Sequence, residues 1–420
     1  MKCKTRDVKK TLVFLLAGGK GQRLYPLTEE RAKPAVPFGG KYRIIDFALS
    51  NCVNSGFRKI LVATQYKSAS LSRHLSVGWN FLSSMFGEYI MNVPPQQRFG
   101  ERWYSGTADA VYQNLYFLER EKPEYVIVLS GDHIYQMDYR EMLGFHIRAN
   151  ADITVGAVVV KKEKATAFGV MKINDENRVF DFKEKPKNPP EIPDKKGFSL
   201  ASMGIYIFNA DTLVDLLSHD AEISTSSHDF GKDIIPYSIH HKYNVYAFRF
   251  VDSKGNQRYW QDVGTIDSFY EANMDLISPI PKLNLYDKDW PVYTHARQFP
   301  PVKFASVEKN GKVVQGNAIN SLVGDGSIII GSLVKHSVIF PNVKIYEDSY
   351  IEDSIIFNDC VVGKNVRLKR VIVDKLVNIP DNVSIGLNLE RDRNYFHVSP
   401  SGIVVIPRGY KFSDKFPRGA

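Results

Sequence analysis

Between residues 339 and 361 this chain repeats in steps of six. Ile339, Ile345, Ile351 and Phe357 hold one phase, Val343, Ser349, Ile355 and Val361 hold a second, and Gly, Asn and Asp fall between them. A hexad puts one inward aliphatic on each short side of a triangular coil, and neighbouring coils then bury one another's faces. The spacing predicts a left-handed parallel β-helix over residues 316–420. Ahead of it, Pro279-Ile280-Pro281, Trp290-Pro291 and Pro300-Pro301 read as a linker over residues 279–315. A chain of 420 residues exceeds one typical core, so residues 1–278 are expected to fold as a separate domain.

In that first domain short apolar runs alternate with longer polar or amphipathic stretches: Leu12–Leu16, Lys59–Ala63, Tyr125–Leu129 and Ile153–Val160. Such alternation favours a mostly parallel sheet with crossover helices, an α/β architecture whose ligands gather at the carboxyl ends of the strands. The first run empties into Ala17-Gly18-Gly19-Lys20-Gly21-Gln22-Arg23-Leu24, with Arg31 and Lys33-Pro34 following. Glycines let bare backbone N–H groups approach phosphate oxygens, and Lys20, Arg23, Arg31 and Lys33 set cations beside them. The loop lacks both the Gly-Lys-Ser/Thr of a P-loop and the third glycine of the dinucleotide fingerprint.

Further segments carry chemistry. Leu129-Ser130-Gly131-Asp132-His133 ends a buried strand at a glycine and delivers an aspartate to the rim of the sheet. Trp103-Tyr104-Ser105-Gly106-Thr107-Ala108-Asp109 is a glycine turn opening a helix, suited to presenting N–H groups and a hydroxyl to a base or sugar. Phe182-Lys183-Glu184-Lys185-Pro186 sets a lysine for a phosphate beside a glutamate for sugar hydroxyls. Tyr259-Trp260-Gln261-Asp262-Val263-Gly264-Thr265 adds a second acid, and two acids without a Cys or His cluster point to an oxygen-ligand ion such as Mg²⁺.

The formal charge of +9 fits anionic ligands. No arginine-rich or aromatic-interleaved basic tract makes nucleic acid the target. The basic start and the run Thr11–Ala17 imitate a signal peptide, but the run is shorter than the roughly 7–15 residues of an h-region and leads into Gly-Gly-Lys-Gly. No stretch approaches the roughly 18 apolar residues of a membrane span. Cys3, Cys52 and Cys360 are too few and scattered for a disulfide framework, so the cytoplasm is the expected compartment.

Together these segments resemble the bacterial ADP-glucose pyrophosphorylases, or glucose-1-phosphate adenylyltransferases. The signals of the wider sugar-nucleotide pyrophosphorylases are Ala17–Leu24 with Lys33-Pro34, Gly131-Asp132 and Glu184-Lys185-Pro186. Those of the narrower branch include Arg31–Val36, Arg43–Asn51, Trp103–Val111, Asp132–Tyr135, Ser199–Tyr206, Ser226–Asp233 and Asp262–Thr265. The resemblance implies a Rossmann-like nucleotidyltransferase domain ahead of the β-helix, and the conversion of ATP and α-D-glucose 1-phosphate to ADP-glucose and pyrophosphate, the committed step of bacterial glycogen synthesis. It also implies a homotetramer regulated by small anionic effectors, with no nucleic-acid or membrane partner. Inactive regulatory paralogues typically lose the phosphate-binding cations or the metal acid, whereas Arg23, Lys33, Asp132, Lys185 and Asp262 are all present here. Thymidylyl- and uridylyltransferases share the fold but generally not Asp132-His133-Ile134-Tyr135 or the Trp103–Ala108 segment.

Residue roles follow from the same resemblance. Asp132 and Asp262 are implied as Mg²⁺ ligands, Arg23 as holding the departing pyrophosphate, and Lys33 as meeting the charge that builds on the phosphates. Ala17, Gly18, Gly19, Gln65, Tyr104, Gly106 and Thr107 are implied for the adenine and ribose, Lys185 for the sugar phosphate, and Gly169, Glu184 and Ser202 for the glucose ring. Arg31, Arg43, Arg367 and Arg370 are expected to form one anion site for the effector, which requires the coil to dock beside the loop that follows the catalytic glycines. Glu30 and Pro37 stand where some relatives carry lysine and histidine, so a smaller monoanion or monophosphate is expected to activate better than fructose 1,6-bisphosphate.

Overall fold

The strand Thr11–Leu16 has Leu12, Val13, Phe14 and Leu15 fully buried. Val13 and Leu15 pack with Ile45, Leu49 and Leu75 on one face of the sheet, while Leu12 and Phe14 pack with Val111, Leu213 and Ile235 on the other. A strand covered on both faces reads as a continuous apolar run rather than an alternating one. The computed structural model describes residues 2–96, 103–193, 195–414 and 416–418. In it Thr11–Leu16 lies between two parallel neighbours, Lys59–Ala63 and Tyr125–Ser130, and Tyr89–Val93 extends the sheet beyond Lys59–Ala63. Helices Ile44–Asn54 and Ala69–Gly78 lie in the connections between successive parallel strands.

Beyond Tyr125–Ser130 runs the 12-residue strand Phe198–Asn209, antiparallel to it and paired also with Ile153–Lys161 and Gly169–Ile173. Val245–Arg249 and Val179–Glu184 complete the nine strands. Phe198–Asn209 and Val179–Glu184 run against the other strands, so the sheet is mostly parallel. Three neighbouring parallel strands therefore end side by side, and they deliver the glycine loop, Gln65 and Asp132 to one edge. A small antiparallel pair, His133–Tyr135 with Trp260–Asp262, sets Asp262 opposite His133. That register brings the second acid beside the first.

The coil is a three-sided stack of parallel strands whose rungs are 16 residues apart in the first turn, as in Leu322 on Val338, and 17 apart in the turns that follow, as in Val338 on Ile355 and Tyr350 on Arg367. A strict step of six gains one residue on every three-sided turn. Ile339 therefore stacks on Ile356, not on Phe357, and Val361 is only half-buried while Val362 is fully buried. Corners at Asn342, Asp348, Asp359 and Asn365 take left-handed φ near 60°, the region that short polar side chains tolerate best. Ser349 keeps the aliphatic phase for a separate reason: its buried hydroxyl accepts from the Val366 amide at 2.9 Å and donates to the Gly363 carbonyl at 2.7 Å. One side of the coil, carrying Val338, Phe340, Ile355, Phe357 and Ile372, shares a core with Phe38, Phe47, Phe269 and Leu276 of the first domain. Among the described residues no helix is long and apolar enough to cross a membrane.

Candidate active site

A cleft of about 760 Å³ opens where the parallel strands end. Of the residues singled out in the sequence, Ala17, Gly18, Gly19, Arg23, Lys33, Gln65, Tyr104, Gly106, Thr107, Asp132 and Glu184 line it. A Cβ on Gly18 would lie 3.1 Å from that of Gln65, so the loop hugs the neighbouring strand end, where the Gln65 amide donates to the Tyr104 carbonyl at 3.2 Å. Gly21 has φ +61°, and a Cβ there would meet Lys33 Cβ at 2.9 Å. A side chain at Gly21 would collide with the residue that the loop presents.

Lys33 is buried, and its Nζ lies 2.9 Å from both Asp132 Oδ2 and Asp262 Oδ1. Burial alone would lower the lysine pKa, but the two carboxylates outweigh it and hold the ammonium above its ordinary value. For Asp132, burial favours the neutral acid, yet Lys33, His133 and the Ser130 hydroxyl reverse the sign and hold it well below the usual carboxylate range. His133 Nε2 stands 3.4 Å from Asp132 Oδ1, and ligand atoms of Asp132, His133 and Asp262 all lie within 4.8 Å of one another. The two facing carboxylates, with Asp132 still 29% exposed, suit a hard divalent ion reached from the cleft. His133 Nδ1 and the neighbouring Trp260 Nε1 are buried without partners among the described residues. Arg23 is exposed, and a Cβ on Gly264 would come within 3.1 Å of its Nη2.

On the opposite side Glu184 ends its strand beside Gly169 and Gly231, where added Cβ atoms would lie 2.7 and 2.5 Å from Glu184 Oε2. Lys185 takes φ +46°; its side chain is 58% exposed, and its ammonium lies 3.1 Å from Glu184 Oε1. Gly169, Lys185, Ser202 and Asp262 stand next to the residues that line the cleft rather than among them. Ser202 is buried instead, its hydroxyl accepting from the Gly204 amide at 3.1 Å. The Thr107 hydroxyl, read from sequence as presented to a base or sugar, already has two protein partners at the cleft wall: it donates to Asp229 Oδ2 and accepts from the Phe230 amide, both at 3.0 Å. Asp229, Phe230 and Tyr206 also line the cleft, with the Tyr206 and Phe230 rings stacked at 5.6 Å. Sequence reasoning gave these residues no role, although Ser226–Asp233 is among the segments that carry the resemblance.

A second cavity, about 1000 Å³, lies between the coil and the first domain. Arg31 and Arg43 line it, joined by Lys41, Arg73, Lys375 and Arg408. Arg31 Nη2 reaches both oxygens of Asp374 at 2.9 and 3.0 Å in a buried pair, while Arg43 donates to the Ser70 carbonyl at 2.8 Å. Arg367 and Arg370 are elsewhere, which corrects the expected grouping. Arg367 lies over the Tyr350 ring on a side of the coil that does not dock, and Arg370 lies over Tyr270 and donates to the Ser401 carbonyl. The cause is the short docking strand Val371–Val373: Arg370 precedes it and Lys375 follows it, so they flank opposite edges of the docked face. Burial, Arg43 and Arg31 push the Lys375 amine down to about 7 against the pull of Asp374.

Residues 12–278 match the family model described as nucleotidyl transferase, and residues 300–406 match the model described as GlmU-like, C-terminal hexapeptide. Fold, cleft and family model together define a nucleotidyl transferase. Among curated relatives, glucose-1-phosphate adenylyltransferase 2 of Vibrio cholerae is 52% identical over 96% of this chain and 99% of its own. The glucose-1-phosphate adenylyltransferases of Methylococcus capsulatus and Dechloromonas aromatica are 51% and 50% identical, over 96% and 95% of this chain and 94% and 91% of theirs. The chain belongs to the glucose-1-phosphate adenylyltransferase family.

Proposed function

We propose that this chain transfers the adenylyl group of ATP to α-D-glucose 1-phosphate, releasing pyrophosphate and forming ADP-glucose. The observation that carries the reading is the Asp132–Lys33–Asp262 cluster at the end of the glycine loop. The reaction brings a sugar-phosphate dianion to the α-phosphorus of a polyanion, so its barrier is charge repulsion plus alignment. Asp132 and Asp262 would hold a divalent ion such as Mg²⁺, which when bound supplies charge neutralisation at the phosphate oxygens. Lys33 adds a cation beside them, and Arg23, at the open side of the loop, holds the pyrophosphate as it departs. The attacking phosphate oxygen already carries negative charge at neutral pH, so no protein base has to take a proton. Its bond to the α-phosphorus forms as the bond to pyrophosphate breaks.

A panel of nucleoside triphosphates with glucose 1-phosphate, read by pyrophosphate release, tests the reading. ATP is expected to lead by a wide margin. Preference for UTP or TTP, or no release with any of them, would contradict it. Within the same assay, Lys185→Ala is expected to raise KM for glucose 1-phosphate roughly ten- to a hundred-fold, the loss of a charge-assisted contact worth about 1.5–3 kcal/mol, with KM for ATP little changed. Equal weakening of both substrates would remove Lys185 from the sugar-phosphate site.

The cation-lined cavity supports an anionic effector, and family resemblance supports a homotetramer. Glu30 Oε2 lies 3.1 Å from Arg408 Nη1, so one cation of the cavity already has a carboxylate partner, which favours a smaller anion over a bisphosphate. Lys375 gives this site a pH signature. Its folded pKa, about 7, is below the ordinary lysine value of about 10.4, so between those limits the unfolded chain binds the extra proton and stability rises with pH. An anion bound beside Lys375 favours the charged amine, so its apparent affinity is expected to fall as pH rises above about 7. Effector titrations at several pH values check this, and Lys375→Met is expected to flatten the dependence; an unchanged slope in that variant would assign it to another group.

A further inference from the structure

The helix Thr107–Tyr112 begins at Gly106, which has no side chain to cap it. The cap comes from 122 residues away in the chain. The carbonyl of His228 accepts from the Ala108 amide at 2.8 Å and the Asp109 amide at 3.3 Å, and a Cβ on Gly106 would lie 2.1 Å from that carbonyl oxygen. His228 reaches this pose with φ +52°, a left-handed conformation uncommon for residues other than glycine, asparagine and aspartate. Its imidazole is tied down behind the turn. Nδ1 lies 2.8 Å from Oδ2 of the buried Asp220, whose Oδ1 accepts from Ser226 Oγ at 2.6 Å, and Ser226 Oγ accepts in turn from the His228 amide at 2.9 Å. The imidazole therefore points away from the cleft while the carbonyl points beneath it.

The residues that follow reach both halves of the cleft, Asp229 and Phe230 meeting the Thr107 hydroxyl at 3.0 Å before the chain turns toward Glu184. Asp229 Oδ1 accepts from the Gly231 and Lys232 amides at 3.0 and 3.1 Å, and Gly231 packs directly under Glu184. The anchor at Asp220 acts before that point. We infer that Asp220 and His228 are positioning residues for the nucleotide: the side-chain pair holds His228 in its left-handed pose, and the pose aims the carbonyl that fixes the Gly106–Thr107 turn. A displacement of a fraction of an ångström in that turn changes contacts to the base or ribose while leaving Glu184 and the sugar phosphate alone. The inference rests on the assignment of Gly106–Thr107 to the nucleotide half of the cleft.

Two substitutions separate the tether from the backbone pose. His228→Gly keeps access to φ > 0 but removes the imidazole, whereas His228→Asn tolerates φ > 0 and places an amide N–H donor the same number of bonds from Cα as Nδ1. His228→Gly is expected to raise KM for ATP about tenfold, with KM for glucose 1-phosphate and kcat within about threefold of wild type. His228→Asn is expected to restore KM for ATP to within about threefold. Asp220→Asn, which keeps the volume and weakens the tether, is expected to fall between the two. Gly106→Ala tests the assignment itself, because it drives a methyl against the capping carbonyl and moves the turn directly. Unchanged KM for ATP in Gly106→Ala would remove the turn from the nucleotide site. A raised KM in Gly106→Ala with no change in His228→Gly would leave that assignment standing and overturn the inference, as would equal rises for both substrates or a failure of His228→Asn to rescue.

Discussion

Asp132→Asn is expected to lower kcat by about three orders of magnitude or more while the fold persists. The substitution keeps the side chain's shape but removes the anion on which Lys33 and Asp262 are organised. Asp132 sits one residue past Gly131 at the end of a buried parallel strand, and Lys33 lies 2.9 Å from its carboxylate. Without that charge a divalent ion loses an anionic oxygen ligand and the ammonium of Lys33 is left to Asp262 alone. Steady-state turnover, with thermal unfolding as the control for folding, checks the result. Binding of Mn²⁺ followed by electron paramagnetic resonance supplies a readout independent of activity, and its loss is expected in Asp132→Asn and Asp262→Asn alike. Turnover above about a tenth of wild type in either variant would break the assignment, since such a charge contributes far more than tenfold when it organises a reacting phosphate.

Asp374→Asn is expected to destabilise the protein by about 3–5 kcal/mol, the usual cost of removing one partner from a buried ion pair. Arg31 is 4% exposed at its side chain and Asp374 1%, so water does not replace the lost charge. The surroundings aggravate the loss, because Arg43 and Lys375 approach the same spot and Arg31 Nη1 already lacks a partner among the described residues. The pair also joins the coil to the segment that carries Lys33, two residues along from Arg31. Urea unfolding at neutral pH measures the stability, and the variant should also weaken any response to an anionic effector. A change below about 1 kcal/mol would mean that the pair is screened as a surface pair is.

Local signals were the legible ones. Gly18, Gly19, Gln65 and Asp132 each directly follow a strand whose apolar run is visible in the sequence, and parallel pairing gathers the ends of such strands. The nearness of Asp262 to Asp132 depends on one antiparallel register, Asp262 opposite His133, which residue patterns do not encode. The hexad was visible, but the side of the coil that docks was not: the docked strand Val371–Val373 leaves Lys375 in the cavity and Arg367 and Arg370 outside it. The partners of the Thr107 hydroxyl, Asp229 and Phe230, lie more than a hundred residues away and could not be read from the local segment. The burial of Ser202 and its bond to the Gly204 amide depend on the turn that follows it and are likewise not written in the local pattern.

The central claim is direct transfer of an adenylyl group at the Asp132–Lys33–Asp262 cluster, and the fate of the α-phosphorus tests it most directly. The enzyme is incubated with α-³²P-labelled ATP and Mg²⁺, with and without glucose 1-phosphate. The label is expected in ADP-glucose, in step with pyrophosphate release, only when the sugar phosphate is present, and wild-type protein alone should retain no covalent label. Pyrophosphate release or labelled protein without glucose 1-phosphate, or label recovered as AMP rather than ADP-glucose, would contradict the account.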